Sequence, residues 1–268
     1  MNEEDITIAT TGHSSNLTGV PGGLLASASF SDFPIPLSIR GVREAHADLF
    51  DELSHCRNFD KARTAYSRYM EALFALEAKK NRRSRYHASY LRLLKDWRVD
   101  SNGPAGAVMK GWVESRFGLF PTFHKTPIRR FNSPEWIAYV EEKMCSRFNN
   151  NNIYMQLDLL YEFSQWVLPR HVSVGRKHLT LYRGTNDLSD QQLIQRLDAR
   201  TAVVRLNNLL SFTSNRHIAD EFGDIIIKAE VPIAKLLCFD ELISPSLLRG
   251  ESEYIAIGGD YRVTLSYL

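Results

Sequence analysis

The hydrophobic pattern of this chain changes its period once, close to residue 170. From about residue 41 to 170 apolar residues recur at helical spacing, whereas short β-like runs follow one another from about residue 175 to 268. Helices that precede the strands, instead of alternating with them, predict an α+β protein and argue against a doubly wound nucleotide-binding fold. Because no G-x-G-x-x-G follows a predicted strand, a Rossmann site for NAD is not expected.

Three helices are predicted in the first half. Asp60 is expected to cap a helix whose apolar face contains Tyr66, Tyr69, Met70, Leu73 and Phe74. Ser133-Pro134-Glu135 combines a cap, a first-position proline and an acid in the first turn, which predicts a second helix. Its predicted buried stripe is Ile137, Val140, Met144 and Phe148. Residues 153–168 are apolar on more than one face, which predicts a buried central helix stopped by Pro169.

The second half predicts a β-rich core. Its candidate strands are 178–183, 201–206, 209–213, 224–231, 234–239, 253–257 and 261–268. Short strands at these spacings are typical of a compact sandwich or of two small packed sheets. The chain is therefore divided into an extended, partly disordered segment (1–38), a helical region (39–172) and a β-rich core (173–268), the last two packed as one unit.

The composition excludes several classes of protein. With 268 residues, 44% of them hydrophobic, the chain can bury a large core, and its net charge of +2 is too balanced to indicate nucleic acid or an anionic membrane as a partner. The three cysteines are far apart and the eight histidines lack metal-ligand spacing, so neither a disulfide framework nor a metal site is expected. Without a signal peptide or a long apolar run, the protein is expected to be cytoplasmic.

One local charge run, Lys79 to Arg85, has two interpretations. A solvated helix end or loop is the more ordinary one. The alternatives are a docking patch for an acidic protein and a counter-charge for the NAD pyrophosphate.

Two carboxylates lie two residues apart in Gly250-Glu251-Ser252-Glu253-Tyr254, just before an apolar run. Side chains at positions i and i+2 of an extended segment point to the same side, so Glu251 and Glu253 are expected to face one pocket, with Glu251 on the preceding loop. Paired carboxylates suit the cleavage of a glycosidic bond. By itself the pair is weak evidence, because glutamates are common and a solvated strand entrance is the more ordinary interpretation.

Two upstream segments favour the catalytic interpretation. His178 to Gly184 alternates like a half-buried strand and ends in Arg183-Gly184. Residues 209–214 form a second predicted strand with Ser211 and Thr213 on one face, and a short helix that includes Phe222 follows before Gly223.

This order of motifs resembles the R-S-E mono-ADP-ribosyltransferases that act on arginine. Arginine at a strand end, Ser-x-Thr on a second strand and E-x-E on a third are the three motifs of that superfamily, and here they are Arg183, Ser211-Phe212-Thr213 and Glu251-Ser252-Glu253. Longer segments are similar to one bacterial family, the dinitrogenase reductase ADP-ribosyltransferases: Gly12 to Leu17, Lys110 to Lys125 and Gly258 to Val263. The resemblance runs from about residue 12 to the C-terminus.

The resemblance implies a fold, a substrate and partners. The fold would be an ADP-ribosyltransferase core of two small β-sheets with an NAD cleft between them, packed against the helical half. NAD would be consumed as a co-substrate with no metal in the chain. The implied partners are dinitrogenase reductase as the acceptor, whose modification stops nitrogen fixation, and a PII-type nitrogen signal protein as the regulator.

The resemblance also implies a role for each candidate site residue. Glu253 would stabilise the positive charge that develops on the ribose, and Ser211 would hold Glu253 in its rotamer. Arg183 would bind phosphate or ribose through its donor fork. Gly184, Thr213 and Phe222 complete the predicted NAD contacts, with core packing as the alternative for Phe222.

Glu251 would act on the acceptor. A guanidinium is protonated at physiological pH, and a neighbouring carboxylate can orient it and take its proton as the new C–N bond forms. Asn207 and Asn208, just before the Ser-x-Thr motif, either line the cleft or form a turn. Three alternatives stay open: a transferase for another arginine protein, an NAD glycohydrolase, and a catalytically silent module that masks a partner.

Overall fold

The computed structural model describes residues 16–76, 89–186, 191–243 and 252–267. Its α-helices are α1 (Gly22–Ala26), α2 (Ala28–Asp32), α3 (Val42–Ala45), α4 (Ala47–Ser54), α5 (Phe59–Phe74), α6 (Tyr90–Val99), α7 (Pro104–Phe117), α8 (Pro134–Cys145), α9 (Asn151–Val167) and α10 (Arg216–Asp220). Its strands are β1 (Phe123–His124), β2 (Thr126–Pro127), β3 (His178–Thr185), β4 (Gln192–Arg196), β5 (Thr201–Thr213), β6 (Ile225–Pro232), β7 (Leu236–Phe239) and β8 (Glu253–Tyr267).

The predicted α+β class is confirmed, whereas the two small sheets are not. Six strands join in one antiparallel sheet in the order β4-β5-β3-β6-β8-β7, and β5 also pairs with β8. Two predicted breaks are absent: residues 201–206 and 209–213 belong to the single strand β5, and residues 253–257 and 261–268 overlap the single strand β8. The sequence also missed β4 and the β1–β2 ribbon, because neither segment shows a clear hydrophobic alternation.

A bulge explains why the sequence suggested a break in β5. The pairing of β5 with β8 shifts register between Leu206 and Leu209, which leaves Asn207 and Asn208 outside the regular ladder. Gly258 of β8 accommodates the bulge, since a Cβ there would lie 1.7 Å from the carbonyl oxygen of Asn207. The strand therefore continues through the interruption in its hydrophobic pattern.

The structure corrects the predicted cap of α5 and confirms the predicted cap of α8. The side chain of Asn58, not Asp60, caps α5 by accepting the Lys61 N–H at 3.0 Å. The predicted start of α8 is confirmed, because Ser133 accepts the Trp136 N–H at 3.3 Å.

The predicted apolar stripe of α8 is wrong for two of its four residues. Ile137 and Met144 are 48% and 63% exposed, while Tyr139 is fully buried. Tyr139 faces α7, where its hydroxyl donates to Glu114 at 3.0 Å. The helix therefore packs through Tyr139, with Trp136 and Val140 beside it, and the predicted apolar stripe did not reveal this face.

Helix α9 is the buried central helix that the sequence predicted. Its side chains are buried around most of the helix, and it continues past Val167 as one π-helical turn (Leu168–Val172) that contains Pro169. The α9 side chains Tyr161 and Ser164 donate to the carbonyls of Ala234 and Leu237 at 2.7 and 2.6 Å, which joins the helices to the β7 edge of the sheet. Among the described helices, none combines the length and apolar character needed to cross a lipid bilayer.

The N-terminal segment, predicted to be extended, contains α1 and α2 where it is described. Helix α2 lies against β8, with Phe30 buried and the Ser31 hydroxyl donating to the Asp260 carbonyl at 2.9 Å. Lys235, fully buried beneath it, donates to Ser31 Oγ at 3.0 Å and to the Gly258 carbonyl at 3.1 Å. Burial lowers the pKa of Lys235 to about 7, and Asp260 opposes this shift.

We expect Lys235 to make the stability of the fold depend on pH. Its pKa is lowered in the folded chain, so between pH 7 and about 10 the unfolded chain binds more protons and the free energy of unfolding rises with pH. Lys235→Met should remove roughly 2 kcal/mol of this rise between pH 7 and 9. Urea unfolding at both pH values measures it, with Lys228→Met on the exposed face of β6 as the control. Equal pH slopes for wild type and Lys235→Met would contradict the prediction.

Candidate active site

A cleft of about 560 Å³ opens between the helical layer and the sheet. One wall is the end of α6 with the loop that follows, residues 97–102, and the other consists of β3, β5, α10 and the first residue of β8. The cleft contains Arg183, Gly184, Ser211, Thr213, Phe222 and Glu253. The described site residues predicted from the sequence therefore lie together, in a volume typical of small-molecule sites.

Glu253 is held at the start of β8, where it is 7% exposed. It is paired in register with Thr213, and Ser211 Oγ donates to its Oε1 atom at 2.5 Å. Its backbone N–H donates to Asp240 Oδ2 at 3.0 Å. The carboxylate is thus held by the neighbouring strand β5, and the backbone of Glu253 is held by the turn after β7.

Trp97 of α6 determines the direction of the hydrogen bond between Ser211 and Glu253. The indole Nε1 lies 3.0 Å from Ser211 Oγ. An indole N–H can only donate, so Ser211 accepts from Trp97 and directs its own proton at Glu253. The Ser211–Glu253 contact was predicted from the sequence, but Trp97 was not.

Arg98, the next residue of α6, contacts the other side of the Glu253 carboxylate. Its Nε atom lies 3.0 Å from Glu253 Oε2, and its Nη2 atom lies 4.0 Å from Asp240 Oδ2. Sequence reasoning missed Arg98 and Asp240, because no motif connects helix α6 with the turn after β7.

Arg183 of β3 reaches across to β5. Its Nη1 atom donates to the Ser211 carbonyl at 3.0 Å, next to the one register pair between these strands, Tyr182 with Thr213. This contact fixes the guanidinium beside Ser211, in the cleft that Glu253 also lines.

Gly184 is required for a reason that the sequence did not suggest. A Cβ at this position would lie 1.9 Å from the Ala219 carbonyl of α10. Close packing of α10 on β3 therefore already demands glycine, and a contact with NAD remains a prediction.

Phe222 and Thr213 differ in their surroundings. Phe222 is 56% exposed on the cleft wall, which rules out the alternative of core packing. Thr213 is 7% exposed, and its hydroxyl accepts the Asn215 N–H at 3.1 Å where α10 begins. Phe222 is therefore available to a ligand, while Thr213 also shapes the turn into α10.

Asn207 and Asn208 hold the wall of the cleft. Asn207 accepts the Thr122 N–H at 3.1 Å and donates to the Phe123 carbonyl at 2.9 Å. Asn208 donates to the carbonyls of Lys110 and Leu119, both at 2.9 Å. Both residues join α7 and the chain after it to the bulge in β5. A simple turn role is wrong, and neither residue is among those that line the cleft.

The buried side chain of Lys110 holds two residues that line the cleft, Asn102 and Phe123. It is 1% exposed and donates to Asn102 Oδ1 at 2.8 Å and to the Phe123 carbonyl at 3.1 Å. Its ammonium also lies 3.3 Å from His124 Nδ1, so that nitrogen accepts, and Nε2 donates to Glu142 at 3.1 Å. Burial, together with Lys110, lowers the pKa of His124 to about 4, and the ring is neutral at pH 7.

Two sequence predictions fall outside the described residues: the role of Glu251 and the role of the basic run from Lys79 to Arg85. For metals, residues 16–76, 89–186, 191–243 and 252–267 hold no group of three or more His, Cys, Asp or Glu side chains that could bind an ion.

Comparison with known proteins gives the family. The family model described as dinitrogenase reductase ADP-ribosyltransferase (DRAT) matches residues 15–265. The chain belongs to this family. It is also 51% identical, over 96% of both chains, to the NAD(+)–dinitrogen-reductase ADP-D-ribosyltransferase of Rhodospirillum rubrum. No solved structure matches the chain. The family resemblance expected from the sequence motifs is thus confirmed over nearly the whole length.

Proposed function

We propose that this member of the family transfers ADP-ribose from NAD to an arginine of dinitrogenase reductase and thereby switches off nitrogen fixation. The observation that carries the proposal is the Glu253 carboxylate, bonded by Ser211 at 2.5 Å and lining the same cleft as Arg183. It is supported by the 51% identity to a relative named for this reaction.

Glu253 acts at the bond that breaks. The ribose–nicotinamide bond breaks with its electron pair going to nicotinamide, which leaves as a neutral molecule and needs no proton from the protein. The carboxylate supplies negative charge beside the ribose carbon as positive charge develops there. Its rotamer is fixed in advance by Ser211, which in turn is oriented by Trp97.

Arg183 and Phe222 bind the substrate. Arg183 binds phosphate or ribose oxygens through its planar donor fork. Phe222 offers an exposed aromatic face for stacking on the nicotinamide ring. Gly184 and Thr213 complete this wall of the cleft.

Glu251 acts on the acceptor, two residues before Glu253 in the sequence. It orients the arginine guanidinium and takes the proton that is lost when nitrogen bonds to the ribose carbon. A PII-type signal protein is the regulator in this proposal.

The deciding experiment is mass spectrometry of dinitrogenase reductase incubated with NAD and this chain. One ADP-ribose on an arginine is the expected result. Nicotinamide release without labelling would favour an NAD glycohydrolase, and labelling of another protein instead would favour a different acceptor. A folded chain that does neither would be a silent masking module, and the proposal would be wrong.

Arg183→Lys is expected to weaken NAD binding about tenfold or more, because an ammonium cannot replace two donors of a fixed fork. Calorimetric titration with NAD measures the effect. Arg196→Lys is a suitable control, since Arg196 likewise donates to a carbonyl, that of Ala199 at 3.3 Å, on the exposed strand β4. If the affinity for NAD is unchanged in Arg183→Lys, Arg183 has only a structural role.

A further inference from the structure

Arg98 lies between two carboxylates at the base of the cleft. It contacts Glu253 at 3.0 Å and approaches Asp240 at 4.0 Å, and the side chains of Arg98, Glu253 and Asp240 are only 14%, 9% and 11% exposed. The void beside these three groups is otherwise lined mainly by apolar side chains, those of Leu94, Phe239, Ile243 and Ile255 together with Cys238. Charges interact strongly in surroundings of this kind.

The three groups together carry one net negative charge. One guanidinium faces two carboxylates. The positive charge of Arg98 therefore does not cancel the negative field that this cluster gives to the cleft. Without Arg98, two carboxylates would share a poorly solvated site, and such pairs retain a proton on one member.

We propose that Arg98 is a positioning residue for Glu253: it fixes the carboxylate and lets Glu253 and Asp240 stay ionised together. The proposal rests on the catalytic role of Glu253 in the proposed function. Arg98 need not touch NAD for this effect, since it acts through Glu253.

The described groups around Glu253 differ in what they contribute, and the ion pair at 3.0 Å comes from Arg98. From β5, Ser211 is a neutral donor, and from β3, Arg183 donates to the Ser211 carbonyl. From β7, burial raises the pKa of the Cys238 thiol, with further contributions from Glu253 and Asp240, so the thiol is neutral. From α6, Trp97 binds Ser211.

The first test is Arg98→Gln. We expect kcat for nicotinamide release at pH 7 to fall about 10–100-fold, with a smaller change in KM for NAD. The acidic limb of the pH–rate profile should move up by about one pH unit or more, because Glu253 then competes with Asp240 for a proton. Arg98→Lys keeps the charge, and its acidic limb should stay in place.

The second test restores the net charge of the three-residue cluster by removing the Asp240 carboxylate as well. Arg98→Gln combined with Asp240→Asn leaves only the Glu253 charge, so the acidic limb should return towards that of wild type. The amide oxygen introduced at position 240 can still accept the Glu253 N–H. Losses that simply add in the double variant would overturn the proposal.

Arg116→Gln is the matched control. Arg116 binds Asp158 at 2.8 Å, with side-chain exposures of 16% and 10%, and it does not line the cleft. This variant loses an equally buried ion pair, so stability should fall without a shift in the acidic limb. An equal shift in this control, or an Arg98→Gln enzyme as active as wild type or more active, would refute the positioning role.

A measurement that does not require enzyme turnover distinguishes the positioning role of Arg98 from the proposed function. Carbon NMR follows the Glu253 carboxyl, identified by its loss in Glu253→Gln, as pH is changed. If wild type is inactive but the carboxyl titrates at higher pH in Arg98→Gln, the effect of Arg98 stands and the proposed function fails. If the carboxyl titrates identically in both proteins, the positioning role fails whatever the activity.

Discussion

Glu253→Gln is expected to lower both nicotinamide release and arginine labelling by roughly 10²–10³, the usual effect of removing a main electrostatic contribution to the transition state. The amide keeps the size of the side chain and can still accept the Ser211 proton, but it brings no negative charge to the ribose. The measurement is single-turnover release of nicotinamide, with the fold checked by thermal unfolding.

Glu230→Gln is the matched control for this variant. Glu230 of β6 accepts the Thr180 hydroxyl at 2.7 Å, the same kind of cross-strand contact as that between Ser211 and Glu253, but outside the cleft. Its turnover should equal that of wild type. A folded Glu253→Gln enzyme with near-normal turnover would remove Glu253 from the chemistry.

Glu251→Ala is expected to abolish arginine labelling while NAD binding and slow NAD hydrolysis survive. The proposed work of Glu251 begins only when a guanidinium is present, since its role is to orient that group and take its proton. Glu253 itself is held by Ser211 and Arg98. Parallel assays of nicotinamide release and of acceptor labelling separate the two glutamates.

Glu241→Ala, at an exposed acid in the turn after β7, is the control for charge alone. Both activities should persist in it. If Glu251→Ala loses nicotinamide release and labelling together, the two glutamates act as one unit and the division of labour is wrong.

The sequence predicted the sheet side of the cleft well. Alternation along a strand has a period of two, so Ser211 and Thr213 necessarily share a face, and the order of the motifs indicated that β3, β5 and β8 would meet. The register pair of Thr213 with Glu253 is consistent with that expectation. Local patterns also determined the start of α8 and the burial of α9.

Local sequence patterns gave wrong predictions where a contact with a residue distant in the sequence determines burial or strand continuity. The burial of Tyr139 in place of Ile137 depends on Glu114 of α7, and the continuity of β5 depends on Gly258 of β8. Gly184 was expected to serve a ligand, yet its neighbour Ala219 already requires glycine.

By itself, then, the sequence determined the α+β class and the family, and it predicted that Arg183, Ser211 and Glu253 would lie together, because short-range patterns and a fixed order of motifs carry these features. Only the tertiary structure brought Trp97 and Arg98 of α6 to the opposite side of Ser211 and Glu253. Trp97 and Ser211 lie 114 residues apart, and no periodicity or spacing encodes a contact over that distance. It arises because the helical layer and the sheet bury their apolar faces against each other, which fixes which polar side chains meet at the border.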